Sequence, residues 1–225
     1  MYKACIFDLD GTLTDTLDSL VYSVNETMKE VGAEPITREQ CRRFVGNGAR
    51  KLVERALRAN GEEQMTKLDA ACEAYSRIFD ENCTYGVSPY PGVMDLLKSL
   101  KELGIKTAVL SNKPHRQTVR VAEDVLDGSL FDCVQGQKDN VPKKPDPAAA
   151  LLIAEEFGVL PQETVYIGDS EVDLETGKAA GMLTVLVSWG FRDRQVLVEA
   201  GAGNIVDSAE EILEFLKEDK RNGRI

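Results

Sequence analysis

Ala4-Cys5-Ile6-Phe7-Asp8-Leu9-Asp10-Gly11-Thr12 is the stretch on which the reading of this chain turns. Four apolar residues read as a strand, and two carboxylates two residues apart follow before a glycine turn. Side chains along a strand alternate faces, so Asp8 and Asp10 start on the same side. One carboxylate can attack a substrate while the other moves protons or helps to hold a metal. Taken alone, the stretch also reads as an N-terminal strand ending in an Asp-Gly turn, which is common. Three later segments decide between the two.

Leu110-Ser111-Asn112 ends the apolar run from Thr107 and opens into Lys113-Pro114. Lys144-Pro145-Asp146-Pro147 sits in a proline-broken loop before a helix. Val165-Tyr166-Ile167-Gly168-Asp169 closes another apolar strand, with Asp173 four residues later. Each is weak by itself, since Ser-Asn is a turn and Gly-Asp can cap a helix. Together, in the order acid pair, serine, lysine, second acid pair, they resemble the motifs of the haloacid dehalogenase superfamily of phosphatases. The resemblance spans the whole chain.

The bulk numbers set the frame. A chain of 225 residues, 43% hydrophobic and 29% charged, is long enough for one large domain or a core with a smaller insert. Lys+Arg of 27 against Asp+Glu of 38 gives a formal charge of −11. Such a chain lacks the basic footprint of a nucleic-acid binder, and a membrane-surface role is not expected. An acidic protein that handles phosphate esters must cancel repulsion locally. Lys144, a divalent cation and backbone amides are the candidates. The five cysteines are odd in number and scattered, with no C-x-x-C pair, which argues against a disulfide framework or a zinc site. No secretory h-region or 18-residue apolar run appears, so a cytoplasmic location is the expectation. His115, the one histidine, is expected at a solvated helix start.

The periodicity divides the chain. Leu17, Leu20, Val21, Val24, Met28 and Val31 fall at helical spacing before Gly32. Thr37 with Gln40 resembles a capping box. After the Gly46-Asn47-Gly48 turn, helices are expected over Ala49 to Asn60 and Glu62 to Asn82. From Val87 the texture changes to alternating strands and helices. Strands are expected at Ile105–Leu110, Leu130–Val134, Thr164–Ile167 and Leu183–Val187, and the polar stretch Lys217–Ile225 is expected to fray. Alternation of this kind predicts an α/β fold with a doubly wound, Rossmann-like parallel sheet and its site beyond the strand carboxyl ends. The expected division is an α/β core of residues 1–15 and 85–225 with an inserted all-helical cap domain of residues 16–84. Hinges fall near Thr14–Thr16 and Thr84–Ser88.

The resemblance implies roles. Asp8 is the nucleophile that forms an aspartyl-phosphate, and Asp10 protonates the leaving oxygen and then activates water. Mg²⁺ is held by Asp8, the backbone carbonyl of Asp10 and Asp169, while Asp173 holds a metal water or orients Lys144. Lys144 rather than Lys143 is selected because the family's lysine directly precedes the proline. Lys144 and Ser111 grip the phosphoryl oxygens, with the amides of Gly11, Thr12 and Asn112 as further donors. An acid at position 10 favours phosphate-ester hydrolysis over dehalogenation. Phe44-Val45-Gly46-Asn47-Gly48-Ala49-Arg50 and Ser188-Trp189-Gly190-Phe191 look like the phosphoglycolate phosphatase branch, with Asn47 and Arg50 as substrate-facing candidates. The expected partner is a small-molecule phosphate ester, 2-phosphoglycolate first, with no nucleic acid and no membrane. A pyrophosphatase, a sugar-phosphate phosphatase or a phosphomutase fits the same motifs. A non-enzymatic binding module would be expected to break one, and none is broken. The sequence does not set an oligomeric state.

Overall fold

The computed structural model describes residues 2–222. In chain order, β1 (Ala4–Phe7) leads into the short β2 (Thr14–Asp15) and four helices, α1 (Leu17–Glu30), α2 (Arg38–Phe44), α3 (Ala49–Ala59) and α4 (Leu68–Asn82). After β3 (Ser88–Pro89) come α5 (Val93–Glu102), β4 (Lys106–Pro114), α6 (His115–Leu126), β5 (Cys133–Gln137) and α7 (Ala148–Glu156). The chain ends with β6 (Thr164–Gly168), α8 (Glu171–Ala179), β7 (Leu183–Val187), α9 (Arg194–Glu199), β8 (Ile205–Val206) and α10 (Ala209–Asn222). Helix α10 thus runs into the stretch expected to fray, and residues 223–225 of that stretch lie outside the described residues.

Six strands form one parallel sheet in the order β5-β4-β1-β6-β7-β8. The chain winds outward on one side of β1 through β4 and β5, then returns to β6 and winds outward on the other. That reversal opens a crevice at the carboxyl ends of β1, β4 and β6. Alternation explains why the strands are apolar throughout. Cys5, Phe7, Val109 and Val165 pack on one face against Leu97, Leu100 and Ile212, and Ile6, Ala108 and Tyr166 pack on the other against Ala150 and Ile153.

Helices α1 to α4 build a separate apolar cluster that includes Leu20, Val24, Met28, Val53, Leu57, Tyr75 and Phe79. The chain enters and leaves them through the antiparallel pair β2–β3, where Thr14 faces Pro89 and Asp15 faces Ser88. The capping box at Thr37 forms, with Gln40 N–H on Thr37 Oγ1 and Thr37 N–H on Gln40 Oε1. Three expected boundaries move. Helix α4 starts at Leu68 rather than Glu62, because Gly61 and Met65 take positive φ. There the Thr66 amide and hydroxyl both bond Glu62 Oε1, a local alternative to helix. Strand β5 starts at Cys133 because Gly128–Leu130 close a 3₁₀ turn capped by Asp127. Strand β4 runs on to Pro114, so Ser111, Asn112 and Lys113 are extended rather than turned. Among the described residues no helix is long and apolar enough to cross a membrane.

The helical unit is seated on the sheet end by polar contacts at two corners. Arg192, just before α9, donates from Nη1 to the Arg42 carbonyl at 3.1 Å and from Nη2 to the Val45 carbonyl at 2.9 Å. These are orphan carbonyls at the end of α2, which a guanidinium satisfies well. Arg42 reciprocates with Asp193 at 2.7 Å. At the other corner Asp80 of α4 accepts from Gln117, while its carbonyl accepts from Arg120. Arg192→Met should loosen the first corner selectively. Amide exchange from Val45 to Gly48 should accelerate while global stability falls by only about 1–2 kcal/mol. Unchanged exchange in that turn would show that Arg192 does not hold it.

Candidate active site

Asp8 and Asp169 are the residues immediately after β1 and β6, and adjacent parallel strands bring them side by side. Asp173 joins them from the first turn of α8. Its Oδ2 accepts from the Ser170 hydroxyl at 2.6 Å and from the amides of Ser170 and Asp169 at 3.2 and 3.3 Å. The close approach needs Gly168, since a Cβ there would lie 2.2 Å from the Asp173 Cβ. Gly11 is required for a second reason. Its φ is +86°, and a Cβ would fall 2.3 Å from Asp169 Oδ2.

Lys144, from the loop before α7, reaches into this cluster with a side chain only 3% exposed. Its Nζ stands 2.7 Å from Asp173 Oδ1 and 2.9 Å from Asp8 Oδ1. The Asn112 side chain brackets the Lys144 backbone, donating to its carbonyl at 3.0 Å and accepting from its amide at 2.9 Å. Lysine 143, as expected for the discarded alternative, is exposed.

Two buried carboxylates therefore share one ammonium, and a third, Asp169, stands beside them. Burial pushes the Asp8 carboxyl up to about 7, with the charges of Asp173 and Asp10 adding and Lys144 opposing. Burial likewise raises Asp169 well above the carboxylate range, helped by Asp173 and Asp8. For Lys144 burial favours the neutral form, but Asp173 and Asp8 outweigh it and hold the ammonium charged. Ligand oxygens of Asp8, Asp169 and Asp173 lie within 4.8 Å of one another. This is a set of hard oxygen donors short of positive charge, and it fits a hard dication such as Mg²⁺. Asp169 Oδ2 accepts from the Phe191 amide at 2.7 Å, which orients the carboxylate. Asp173 has both oxygens engaged, so Asp8 and Asp169 are the better direct ligands. The Asp10 carboxylate stands outside this cluster.

Asp10 instead pairs with Lys113, whose Nζ lies 2.8 Å from Asp10 Oδ1 with the side chain 2% exposed. The same ammonium sits 4.8 Å from the centre of the Phe79 ring, which belongs to α4. Ser111 and Lys113 are two residues apart on β4, as Asp8 and Asp10 are after β1, and all four line one cleft. Sequence reasoning passed over Lys113 as a flank of the Ser-Asn turn. The signal available was its strand-like spacing from Ser111.

Several of the residues expected near substrate have partners within the chain. The amides of Gly11 and Thr12 are spent inside the turn, on the carbonyls of Thr14 and Leu9 at 2.9 and 3.3 Å. The Asn112 side chain holds the Lys144 loop and the Gly46 carbonyl. Gly46 and Gly48 do line the cleft, but Asn47 turns away and accepts from Arg55 at 2.8 Å. Arg50 stands away from the cleft. The second residue of α3, it is 59% exposed and paired with Asp69 of α4 at 2.8 Å. His115 is half-buried, accepts the Gly136 amide on Nδ1 and does not line the cleft.

Residues 5–187 match the haloacid dehalogenase-like hydrolase family. The chain is 34% identical over 216 residues to the phosphoglycolate phosphatase of Pseudomonas putida, across 94% of this chain and 78% of that one. It superposes on a predicted phosphoglycolate phosphatase from Haemophilus somnus 129pt with a TM-score of 0.89 at 26% identity, covering 96% and 98% of the two chains. The TM-score is 0.77, at 25% identity, with CbbY from Rhodobacter sphaeroides in complex with phosphate, covering 94% and 96%.

Two outcomes follow from the site. A carboxyl raised from the usual value near 3.9 to about 7 binds its proton more tightly folded than unfolded. Its contribution to stability is present at low pH and is lost as pH rises through about 7. Metal-free protein should therefore melt at lower temperature at pH 8 than at pH 6, and Mg²⁺ should restore the midpoint more at pH 8. A metal-free midpoint that rises towards pH 8 would contradict the buried carboxylate cluster. Arg50→Ala should leave kcat/KM within about twofold of wild type, since an exposed ion pair contributes little. A loss of tenfold or more would return Arg50 to the site.

Proposed function

The chain belongs to the haloacid dehalogenase-like hydrolases and is a phosphatase of that family, and on that footing we propose that it hydrolyses a small anionic phosphomonoester, 2-phosphoglycolate first, through a phosphorylated Asp8. The supporting observation is the Lys144 ammonium set between Asp8 and Asp173 at the strand ends, with Asp10 two residues beyond Asp8. Mg²⁺ held by Asp8 and Asp169 would neutralise charge on the phosphoryl group.

The remaining work falls to the chain's own side chains. An oxygen of Asp8 attacks phosphorus, forming an acyl phosphate as the bond to the ester oxygen breaks. Asp10 gives its proton to that leaving oxygen, then takes one from the water that hydrolyses the acyl phosphate and frees Asp8. Lys144 and the Ser111 hydroxyl, both buried and prealigned, donate to the phosphoryl oxygens. Residues 16–84 act as a cap over residues 1–15 and 85–225, with β2–β3 as the hinge. Closure excludes water while the phosphoryl group is on Asp8.

The cleft supports a small substrate. The free space inside it is about 50 Å³, room for a few waters. A phosphoryl group with a two-carbon remainder fits such a space better than a sugar.

Asp8→Asn tests the chemistry, because it replaces the nucleophile with a near-isosteric amide. Turnover of phosphate esters in Mg²⁺ should fall by a factor on the order of 10³ or more while the protein stays folded. Activity within about tenfold of wild type would remove Asp8 from the role of nucleophile. A panel of 2-phosphoglycolate, sugar phosphates and pyrophosphate on the wild type separates the leading substrate from the others.

A further inference from the structure

Lys113 is a buried cation with no part in the steps above. We propose that it determines specificity, its ammonium binding a carboxylate on the leaving-group side of the ester. The inference rests on the hydrolase reading and adds to it the residue that selects the leaving group.

Position comes first. Lys113 Nζ lies 2.8 Å from Asp10 Oδ1, and Asp10 is the group that must touch the leaving oxygen. A substituent on the carbon beside that oxygen is therefore within reach of Lys113. An ammonium has three N–H donors. Asp10 takes one and the Phe79 ring covers another side at 4.8 Å, which leaves capacity for a ligand anion.

The other cations on the cleft are committed. Lys144 is divided between Asp8 and Asp173. Arg192 is bound to Glu171 and to the carbonyls of Arg42 and Val45. Arg50, the arginine suggested by sequence, points away to Asp69. Among the described cations that line the cleft, Lys113 is left as the one able to answer a second negative charge.

The wall opposite sharpens the chemistry. The helical unit lines the cleft with Leu20, Val45, Leu52, Tyr75 and Phe79, and the Tyr75 hydroxyl is the polar side-chain group among these. A polyhydroxylated leaving group would leave hydroxyls unpaired against that wall, at a cost. A short hydroxy acid needs only a cation and a little apolar surface. At a site this buried, the attraction is weakly screened by solvent.

The experiment compares three phosphomonoesters that differ in the charge two carbons from phosphorus: 2-phosphoglycolate (carboxylate), ethyl phosphate (neutral) and O-phosphoethanolamine (ammonium). Wild type should rank them in that order by kcat/KM. Lys113→Met should lower the ratio of kcat/KM for 2-phosphoglycolate to that for ethyl phosphate by about tenfold or more, chiefly through KM. Lys113→Arg should keep most of the preference. Any disturbance of Asp10 is common to both substrates and cancels in the ratio. A ratio unchanged within about twofold would overturn the assignment. If Lys113→Met does not fold, the wild-type ranking and Lys113→Arg still decide: absence of any charge preference overturns the role of Lys113 while leaving the hydrolase reading intact. Failure to hydrolyse any of the three in Mg²⁺ overturns both.

Discussion

The ammonium of Lys144 between Asp8 and Asp173 is the contact around which the site is arranged. Asp8, Asp169 and Asp173 are buried within 4.8 Å of one another, and mutual repulsion in a poorly solvated space would otherwise protonate them or drive them apart. Much of the surrounding structure keeps that lysine in place. Asn112 clamps its backbone from β4, Ser170 and the Asp169 amide fix Asp173, and Gly168 lets α8 start close enough to deliver Asp173 at all. One cation does not balance three carboxylates. Burial first, and the charges of the neighbouring carboxylates after it, raise the Asp8 and Asp169 carboxyls, and the three together are a donor set that could hold a metal ion.

The site resolves a conflict posed by composition. A chain with a formal charge of −11 repels anionic esters at long range. Within the cleft the balance is local, because Lys113, Lys144 and Arg192 all line it. Burial makes these few charges count for more than the many on the surface, which solvent and salt screen. The same burial makes an unpaired member costly, so each cation is already held by a carboxylate: Asp10, the Asp8–Asp173 pair, or Glu171.

The helical unit and the sheet meet through side chains that also belong to the cleft. Phe79 stacks on the Lys113 ammonium, Asn112 holds the Gly46 carbonyl, and Arg192 satisfies two carbonyls at the end of α2. Seating the helices therefore shapes the cleft wall and orders its cations together. The β2–β3 pair, two residues on each strand, is the covalent crossing between the two clusters.

Local rules made a large part of this legible. Strand alternation placed Asp8 and Asp10 on one side, the βα rhythm after Val87 implied a parallel sheet with its crevice at the strand ends, and Thr37 with Gln40 announced a helix start that forms. The resemblance, in which the lysine directly precedes the proline, singled out Lys144 over Lys143. These signals act over a few residues, which is why one chain read in isolation carries them. Tertiary structure decided the rest. Lys113 meets Asp10 across 103 residues of sequence, and nothing near either residue encodes the pairing. Arg50 is turned outward by Asp69 on another helix, and Arg192 is drawn to carbonyls about 150 residues upstream. The Gly11 and Thr12 amides are consumed by the tight turn that Gly11 makes possible. Sequence determined which groups stand at the strand ends, because backbone periodicity is local. Which partner each group finds, and so which remain free for substrate, was settled only when distant segments packed together.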